Sequence, residues 1–265
     1  MRIISYDFGM RAISWNVNSI RTRMERILSL LERHDPDLLC LQETKVRDEE
    51  FPFEAFEEAG YICEIHGQKT YNGVALLSKE ELEGVTIGFD GDPYPDQARV
   101  ISGLLRGIRF INIYVINGKH IEDEKFTMKM KWLKALEEWI KINFSPEEPI
   151  VLLGDFNIAP EAIDVHDPKE WENILFTPEE LSCLESIKKW GLEDLFRLHN
   201  QDKDVFSWWD YRNQAFRFNK GLRIDLALGT KRTVQCSSGS FIDREERKQG
   251  GFEAKPSDHA PLIID

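Results

Sequence analysis

The sequence predicts an α/β protein with mostly mixed sheets, and three observations predict it. Helical apolar spacing occurs twice between short apolar strands, giving two strand–helix–strand units. A stretch of short β-like runs lies between those units. Several apolar runs also stop abruptly at a carboxylate, an amide or a tyrosine, so polar groups gather at strand ends.

Residues 1–9 precede a second start-like Met10 and read as an N-terminal extension, native or not, to a single domain over 10–265. Ala12-Ile13-Ser14-Trp15-Asn16-Val17-Asn18 is the first strand and ends in two amides. Asn18 or Ser19 can cap a helix whose apolar face is Ile20, Met24, Ile27, Leu28 and Leu31. Asp35-Pro36 stops it, because proline disfavours helical backbone in the residue before it. The second strand runs to Gln42-Glu43, and the runs 61–65, 73–78, 99–105 and 108–114 follow. The last of these alternates and ends in Tyr114. Phe126, Met130, Leu133, Leu136 and Ile140 mark a second helix, which leads into the apolar strand ending in Gly154-Asp155-Phe156-Asn157. Thr177-Pro178-Glu179-Glu180 reads as an N-cap with proline at the first helical position, opening a helix towards Trp190. Leu222-Arg223-Ile224-Asp225 reads as a further strand carrying a carboxylate, and Ser257-Asp258-His259-Ala260-Pro261 follows near the C-terminus. The order βα, β-rich stretch, αβ, then strands fits two packed sheets with helices outside and a weak twofold pseudosymmetry.

A chain of 265 residues, 42% hydrophobic and 31% charged, fits one large soluble domain with a sizeable core. No apolar run approaches the roughly 20 residues that span a bilayer, and no secretory signal pattern is present. The four cysteines form no CxxC pair, so reduced thiols in a cytoplasmic enzyme are expected. The net charge of −13 weighs against a simple nucleic-acid binder. Carboxylates of a metal site, however, count as negative until the metal arrives. Locally the balance also reverses: between Asp210 and Asp225 there is no acid, while Arg212, Arg217, Lys220 and Arg223 interleave with Tyr211, Phe216 and Phe218, just after Trp208 and Trp209. Such a mixture suits phosphate contact and stacking. Lys119, Lys125, Lys129, Lys131 and Lys134 are diluted by acids and read as a solvated helix face.

Residues two apart on a strand point the same way, so Asp155 and Asn157 can face one pocket. Asn16, Glu43, Tyr114 and Asp225 stand at the ends of other runs, and Asp258 and His259 join them. Converging Asn, Glu, Asp and His are the ingredients of metal-assisted hydrolysis.

These segments carry a family likeness. Trp15-Asn16-Val17-Asn18, Leu41-Gln42-Glu43-Thr44-Lys45, Asn72-Gly73-Val74-Ala75, Gly154-Asp155-Phe156-Asn157, Phe206-Ser207-Trp208-Trp209-Asp210-Tyr211-Arg212, Gly221-Leu222-Arg223-Ile224-Asp225 and Pro256-Ser257-Asp258-His259-Ala260-Pro261 resemble motifs of the exonuclease III family of AP endonucleases. That family lies within the endonuclease/exonuclease/phosphatase superfamily, and the resemblance runs from about Met10 to the C-terminus. It implies a four-layered αββα sandwich, two mixed β-sheets packed face to face with helices outside. It also implies a DNA repair nuclease that cuts duplex DNA 5′ to abasic sites, with 3′→5′ exonuclease and 3′-phosphatase or phosphodiesterase activity. The implied cofactor is Mg²⁺, with Mn²⁺ as a substitute; the implied partner is duplex DNA with abasic sites or blocked 3′ ends, met by a monomer without a membrane.

The resemblance also assigns residues. Glu43 would be the leading metal ligand, with Asn16, Asp155, Asn157, Asp258 and His259 around the ion. Asp155 would orient or deprotonate the attacking water, Asn157 would hold the phosphate or that water, and His259, steadied by Asp225, would donate to a phosphate oxygen. Tyr114 would contact the scissile phosphate. The family commonly has Tyr-x-Pro-x-Gly here; Ile116 stands in place of the proline, so a looser turn is expected. Lys45, Tyr71, Asn72, Arg21, Arg99, Arg212 and Arg223 would contact DNA, and Trp208 and Leu222 would line a pocket for a baseless sugar. Two other readings stand beside this one: a small-phosphoester phosphatase on the same fold, and a catalytically silent DNA-binding module.

Overall fold

The computed structural model describes residues 9–265. Apart from Gly9, the expected extension lies outside the described residues. In chain order the elements are β1 (Ala12–Asn16), α1 (Ile20–His34), β2 (Leu38–Gln42), α2 (Phe53–Glu58), β3 (Ile62–His66), β4 (Val74–Ser78), β5 (Glu83–Ile87), β6 (Val100–Leu105) and β7 (Ile108–Tyr114). Then come α3 (Glu124–Asn143), β8 (Ile150–Asp155), α4 (Pro168–Trp171), α5 (Pro178–Lys189), β9 (Leu192–Asp194), α6 (Leu195–His199), β10 (Asp225–Thr230), α7 (Lys231–Cys236), β11 (Ser240–Ile242) and β12 (Leu262–Ile264). No helix among them is long and apolar enough to cross a membrane.

Two six-stranded sheets result, ordered β11-β12-β1-β2-β4-β3 and β5-β6-β7-β8-β10-β9. Each is built around one parallel pair, β1 with β2 and β7 with β8, and all other neighbours are antiparallel. A parallel pair needs a crossover, and α1 and α3 supply the two crossovers. In both sheets the strand that follows the pair lies outermost and the next one folds back between. The expected pseudosymmetry is therefore real at the level of topology.

Strand alternation divides the core into layers. Leu38 and Cys40 of β2 point between the sheets, where they meet Phe110, Val151 and Leu153. Leu39 and Leu41 point the other way, onto Ile20, Ile27 and Leu30 of α1. On the far side Ile111, Leu152 and Leu226 pack under Trp132, Leu133 and Leu136 of α3 and Leu184 of α5. Helix, sheet, sheet, helix is the four-layered arrangement expected. Central strands are buried on both faces and so read as continuous apolar runs; the edge strands β3 and β5 are partly exposed.

Three expectations need correction. Ser19 precedes α1, but its side chain makes no capping bond. The backbone after β2 does that work: Glu43 O and Thr44 O accept from the N–H groups of Ser19 and Ile20 at 2.8 and 3.1 Å. Residues 222–224 are not strand; β10 begins at Asp225 and runs away from it. They are held by isolated backbone bridges from Leu222 to Trp208 and Val165 and by side chains, since the buried Arg223 reaches Asp164 at 2.7 Å and Asp194 at 2.7 Å. Lys129 is no solvated lysine. It is fully buried, ion-paired with Glu180 of α5, and donates to Asn157 O at 2.6 Å. The cap of α5 is as expected: Thr177 and Glu180 form a capping box with Pro178 at the first position.

Removing one partner of a buried ion pair strands the other charge. Lys129→Met should therefore destabilise the fold by about 3–5 kcal/mol. Lys131→Met, on the exposed side of α3, should stay within about 0.5 kcal/mol of wild type. Equilibrium denaturation of both variants checks the contrast.

Candidate active site

Register brings the polar strand ends together. Asn16 ends β1 beside Gln42, and Glu43 follows at the same edge. In the second sheet Tyr114 lies opposite Asp155, which lies opposite Asp225 at the start of the antiparallel β10. Gly154 is required for this close approach. Its φ is +139°, and a Cβ there would stand 2.0 Å from the Ile113 carbonyl oxygen. Any side chain would push β8 off β7 and carry Asp155 with it. Ile116 does not loosen the turn after Tyr114: it is buried in the α3 core, and Val115 N–H donates to Asp155 O at 2.8 Å.

Asn16 bridges the sheets, donating through Nδ2 to Glu43 Oε1 at 2.8 Å and Asp155 Oδ2 at 2.9 Å. Its own oxygen accepts from Asn18 N–H at 2.9 Å. Asn157 closes back on Asp155, donating its backbone N–H to Oδ1 at 2.9 Å and Nδ2 to Oδ2 at 3.2 Å. The His259 ring lies with Nδ1 2.9 Å from Asp225 Oδ2, which turns Nε2 towards Asp155 Oδ2 at 3.8 Å. Asp258 points elsewhere, accepting from Asn18 Nδ2 at 2.9 Å and from Trp208 Nε1 at 3.0 Å.

Burial pushes the Asp155 carboxyl up to about 7, and the charges of Asp225 and Glu43 add to this against the opposing pull of His259 and Asn16. Burial alone would lower His259, but Asp225, Asp155 and Asp258 outweigh it and raise the imidazole to about 10. Burial, Glu43 and Asp155 hold the Tyr114 hydroxyl well above its ordinary value, so it remains a donor. Asp258 is half-buried, and although desolvation raises its carboxyl, His259, Asn18 and Trp208 hold it below the ordinary carboxylate range.

Glu43, Asp155 and His259 each offer a ligand atom within 4.8 Å of the others. The two carboxylates suit a hard divalent cation. Lys45 Nζ already stands 2.8 Å from Glu43 Oε2, so this oxygen is placed to face positive charge. Asn16, as oriented, is a donor between the carboxylates, Asn157 bonds Asp155, and Asp258 is turned onto Asn18 and Trp208.

The substrate-side residues divide. Tyr71 is 68% exposed and Arg212 is exposed beside Asp210. Arg21 is at the surface, paired with Glu50 at 3.4 Å. Asn72 is buried and donates to Gln68. Arg99 stacks 4.8 Å over the Tyr114 ring and donates to its carbonyl at 3.0 Å, so it holds the tyrosine. Arg223 is excluded as a DNA contact, being wholly buried between Asp164 and Asp194. Trp208 bridges Leu222 on one side and His259 on the other, and Trp171 meets it edge-to-face at 5.6 Å. Val165, Leu175 and Ile224 complete an apolar cluster with Leu222. The sequence singles out neither Asn117 nor Trp171 for the site, and it misplaces Lys129 on a solvated face. Asn117 donates to Asn157 Oδ1 at 2.8 Å, and its place in Tyr114-Val115-Ile116-Asn117-Gly118 was the only signal.

Residues 13–259 match the Endonuclease/Exonuclease/phosphatase family. The chain belongs to that family. Among family relatives it is 36% identical to exodeoxyribonuclease III of Haemophilus influenzae, covering 96% of this chain and 98% of that one. It superposes on the 3′ phosphatase NExo from Neisseria, a structure with a product DNA hairpin, with a TM-score of 0.92, 36% identity and coverage of 97% and 98%. An AP endonuclease from Archaeoglobus fulgidus gives a TM-score of 0.91, 34% identity and the same coverage. The family's two-sheet sandwich is thus this chain's fold.

A protonated carboxyl is no ligand, so metal and proton compete for Asp155. With its carboxyl raised to about 7, divalent-ion affinity should weaken as pH falls from 8 to 6. Calorimetric titration with Mn²⁺ at those pH values tests it, and a constant affinity would remove Asp155 from the metal's surroundings.

Proposed function

We propose that the protein is a metal-dependent DNA repair nuclease of the exonuclease III type. It hydrolyses the phosphodiester 5′ to abasic sites in duplex DNA and processes 3′ ends as an exonuclease and phosphatase or phosphodiesterase. It acts as a monomer, with Mg²⁺ as cofactor and Mn²⁺ as substitute. One observation carries the reading: Asp155 lies between the His259–Asp225 pair and the Asn16–Glu43 pair, with the Trp208 backbone bridged to His259 and its indole N–H on Asp258. The relatives' names, an exodeoxyribonuclease, a 3′ phosphatase and an AP endonuclease, all describe phosphoester hydrolysis on DNA.

Glu43 and Asp155 would hold a divalent cation, which would supply charge neutralisation for phosphoester hydrolysis. Asp155 takes the proton of the attacking water, and burial, which raises its carboxyl, makes its carboxylate the stronger base. Asn157 steadies Asp155 through two hydrogen bonds. His259 keeps its proton throughout and donates from Nε2 to a non-bridging oxygen as charge grows there. Asp225, on Nδ1, fixes the ring so that Nε2 faces the reaction. Tyr114 donates from a hydroxyl that stays protonated. A baseless sugar is easily turned out of the helix because little stacking is lost, and the apolar cluster around Trp208 and Leu222 would receive it.

Incubation with an abasic-site duplex, with and without Mg²⁺, is the direct test: cutting 5′ to the lesion only with metal is expected. His259→Ala should lower kcat by about 10²–10³, the usual effect of removing a preorganised donor, with little loss of DNA binding. Undiminished kcat would dismiss the His259 role. Full cutting in excess chelator would dismiss the metal.

Trp208→Ser should reduce abasic-site cutting far more than hydrolysis of a small phosphodiester, whereas Trp208→Phe, which keeps an apolar wall and loses only the N–H to Asp258, should retain selectivity. Equal losses on both substrates would place selectivity elsewhere.

A further inference from the structure

The half-sites sit on different sheets. Glu43 follows β2 of the first, while Tyr114 and Asp155 end β7 and β8 of the second. Most contact between the sheets is apolar, and apolar contact is non-directional, so it specifies lateral register weakly. Besides Asn16 to Asp155, a group of directional contacts crosses the gap just behind the site. Gln42 Nε2 donates to Asn112 Oδ1 at 2.7 Å, and also reaches Ser14 Oγ at 3.1 Å and Cys40 O at 3.2 Å. Asn112 Nδ2 crosses back to Leu41 O at 2.9 Å and Ala75 O at 3.0 Å. Gln42, Asn112 and Ser14 are all fully buried.

Their position is specific. Gln42 is the residue before Glu43. Asn112 is two before Tyr114, hence on the same face of β7, and pairs with Leu153, two before Asp155. The pair is also a poor stabiliser. Gln42 Oε1 is buried with no partner, which costs about 1–3 kcal/mol that an apolar pair of similar shape would not incur.

We propose that Gln42 and Asn112 are positioning residues: their amide–amide bond sets the separation and register of Glu43 against Tyr114 and Asp155 across the two sheets. This rests on the assignment of those three residues to the reacting centre. Misplacement by about 1 Å at a catalytic centre costs about 10² in rate. A loss of positioning should therefore appear in kcat with KM little changed.

The test compares Gln42→Leu, the exchanged pair Gln42→Asn/Asn112→Gln, and Leu30→Ala, a core truncation under α1 that destabilises without touching the sheet gap. All are assayed well below their unfolding midpoints on an abasic-site duplex with Mg²⁺, and by calorimetric Mn²⁺ binding. Gln42→Leu should lose roughly 10² in kcat and bind Mn²⁺ more weakly. The exchanged pair, which moves one methylene across the gap and remakes the amide contact, should recover much of both. Leu30→Ala should keep wild-type kcat. Wild-type kcat and Mn²⁺ affinity in Gln42→Leu, or an equal kcat loss in Leu30→Ala, overturns the proposal. Should Gln42→Leu not fold, Gln42→Met/Asn112→Leu replaces it, because neither amide is then left facing the other. A wild-type protein that does not cut abasic DNA refutes the nuclease reading instead; the Mn²⁺ comparison still decides the amide pair, since Glu43 and Asp155 come from opposite sheets.

Discussion

Crowding of negative charge at one edge of the sandwich is the constraint on which the rest of the site depends. Glu43, Asp155, Asp225 and Asp258 approach one another because four strand or loop ends are brought to the same place. Unrelieved, such charges in a buried site would oppose folding. Relief comes from several directions. Asn16 donates to Glu43 and Asp155, Lys45 pairs with Glu43, Asn18 and Trp208 bond Asp258, and His259 faces Asp155 and Asp225. What is left over is a carboxyl at Asp155 that holds its proton near neutrality and a histidine that does not release one. That residual imbalance is also what a divalent cation would correct, so metal affinity and proton transfer draw on the same electrostatic source.

The topology makes this crowding unavoidable. Both sheets use a parallel pair with a helical crossover, and both pairs end at the same edge. Each sheet then contributes half of the polar set. The halves are joined by Asn16 to Asp155 and, one layer deeper, by Gln42 to Asn112. Buried charge pairs brace the loops that leave this edge. Lys129 and Glu180 tie the Asn157 carbonyl to α5, and Arg223 with Asp164 and Asp194 anchors the segment leading into Asp225. Buried ion pairs contribute little net stability relative to apolar packing. Their consequence here is geometric: they hold irregular backbone in place where no strand ladder can.

Much of the site was legible because each of its parts is local. An apolar run followed by Asn16, Glu43, Tyr114 or Asp155 announces a strand end in the order of a few residues, and strand periodicity fixes which neighbours share a face. Helix ends followed the same logic at Asp35-Pro36 and at Thr177-Pro178, though Ser19 looked like a cap while the backbone after β2 supplied the acceptors. The family likeness then supplied roles that spacing alone did not.

The sequence by itself determined the strand–helix–strand units, the polar strand ends and the chemistry they could support. Only the tertiary structure decided which charges are buried and where they act. Lys129 lies between Met128 and Met130 and Arg223 between Leu222 and Ile224, but an apolar neighbourhood in the chain does not name the countercharge that lets a cation be buried. Their partners lie 51 and 59 residues away, at Glu180 and Asp164. The free energy of a charge depends on the dielectric and the countercharge around it, and both are set by packing between distant segments rather than by neighbours in the chain.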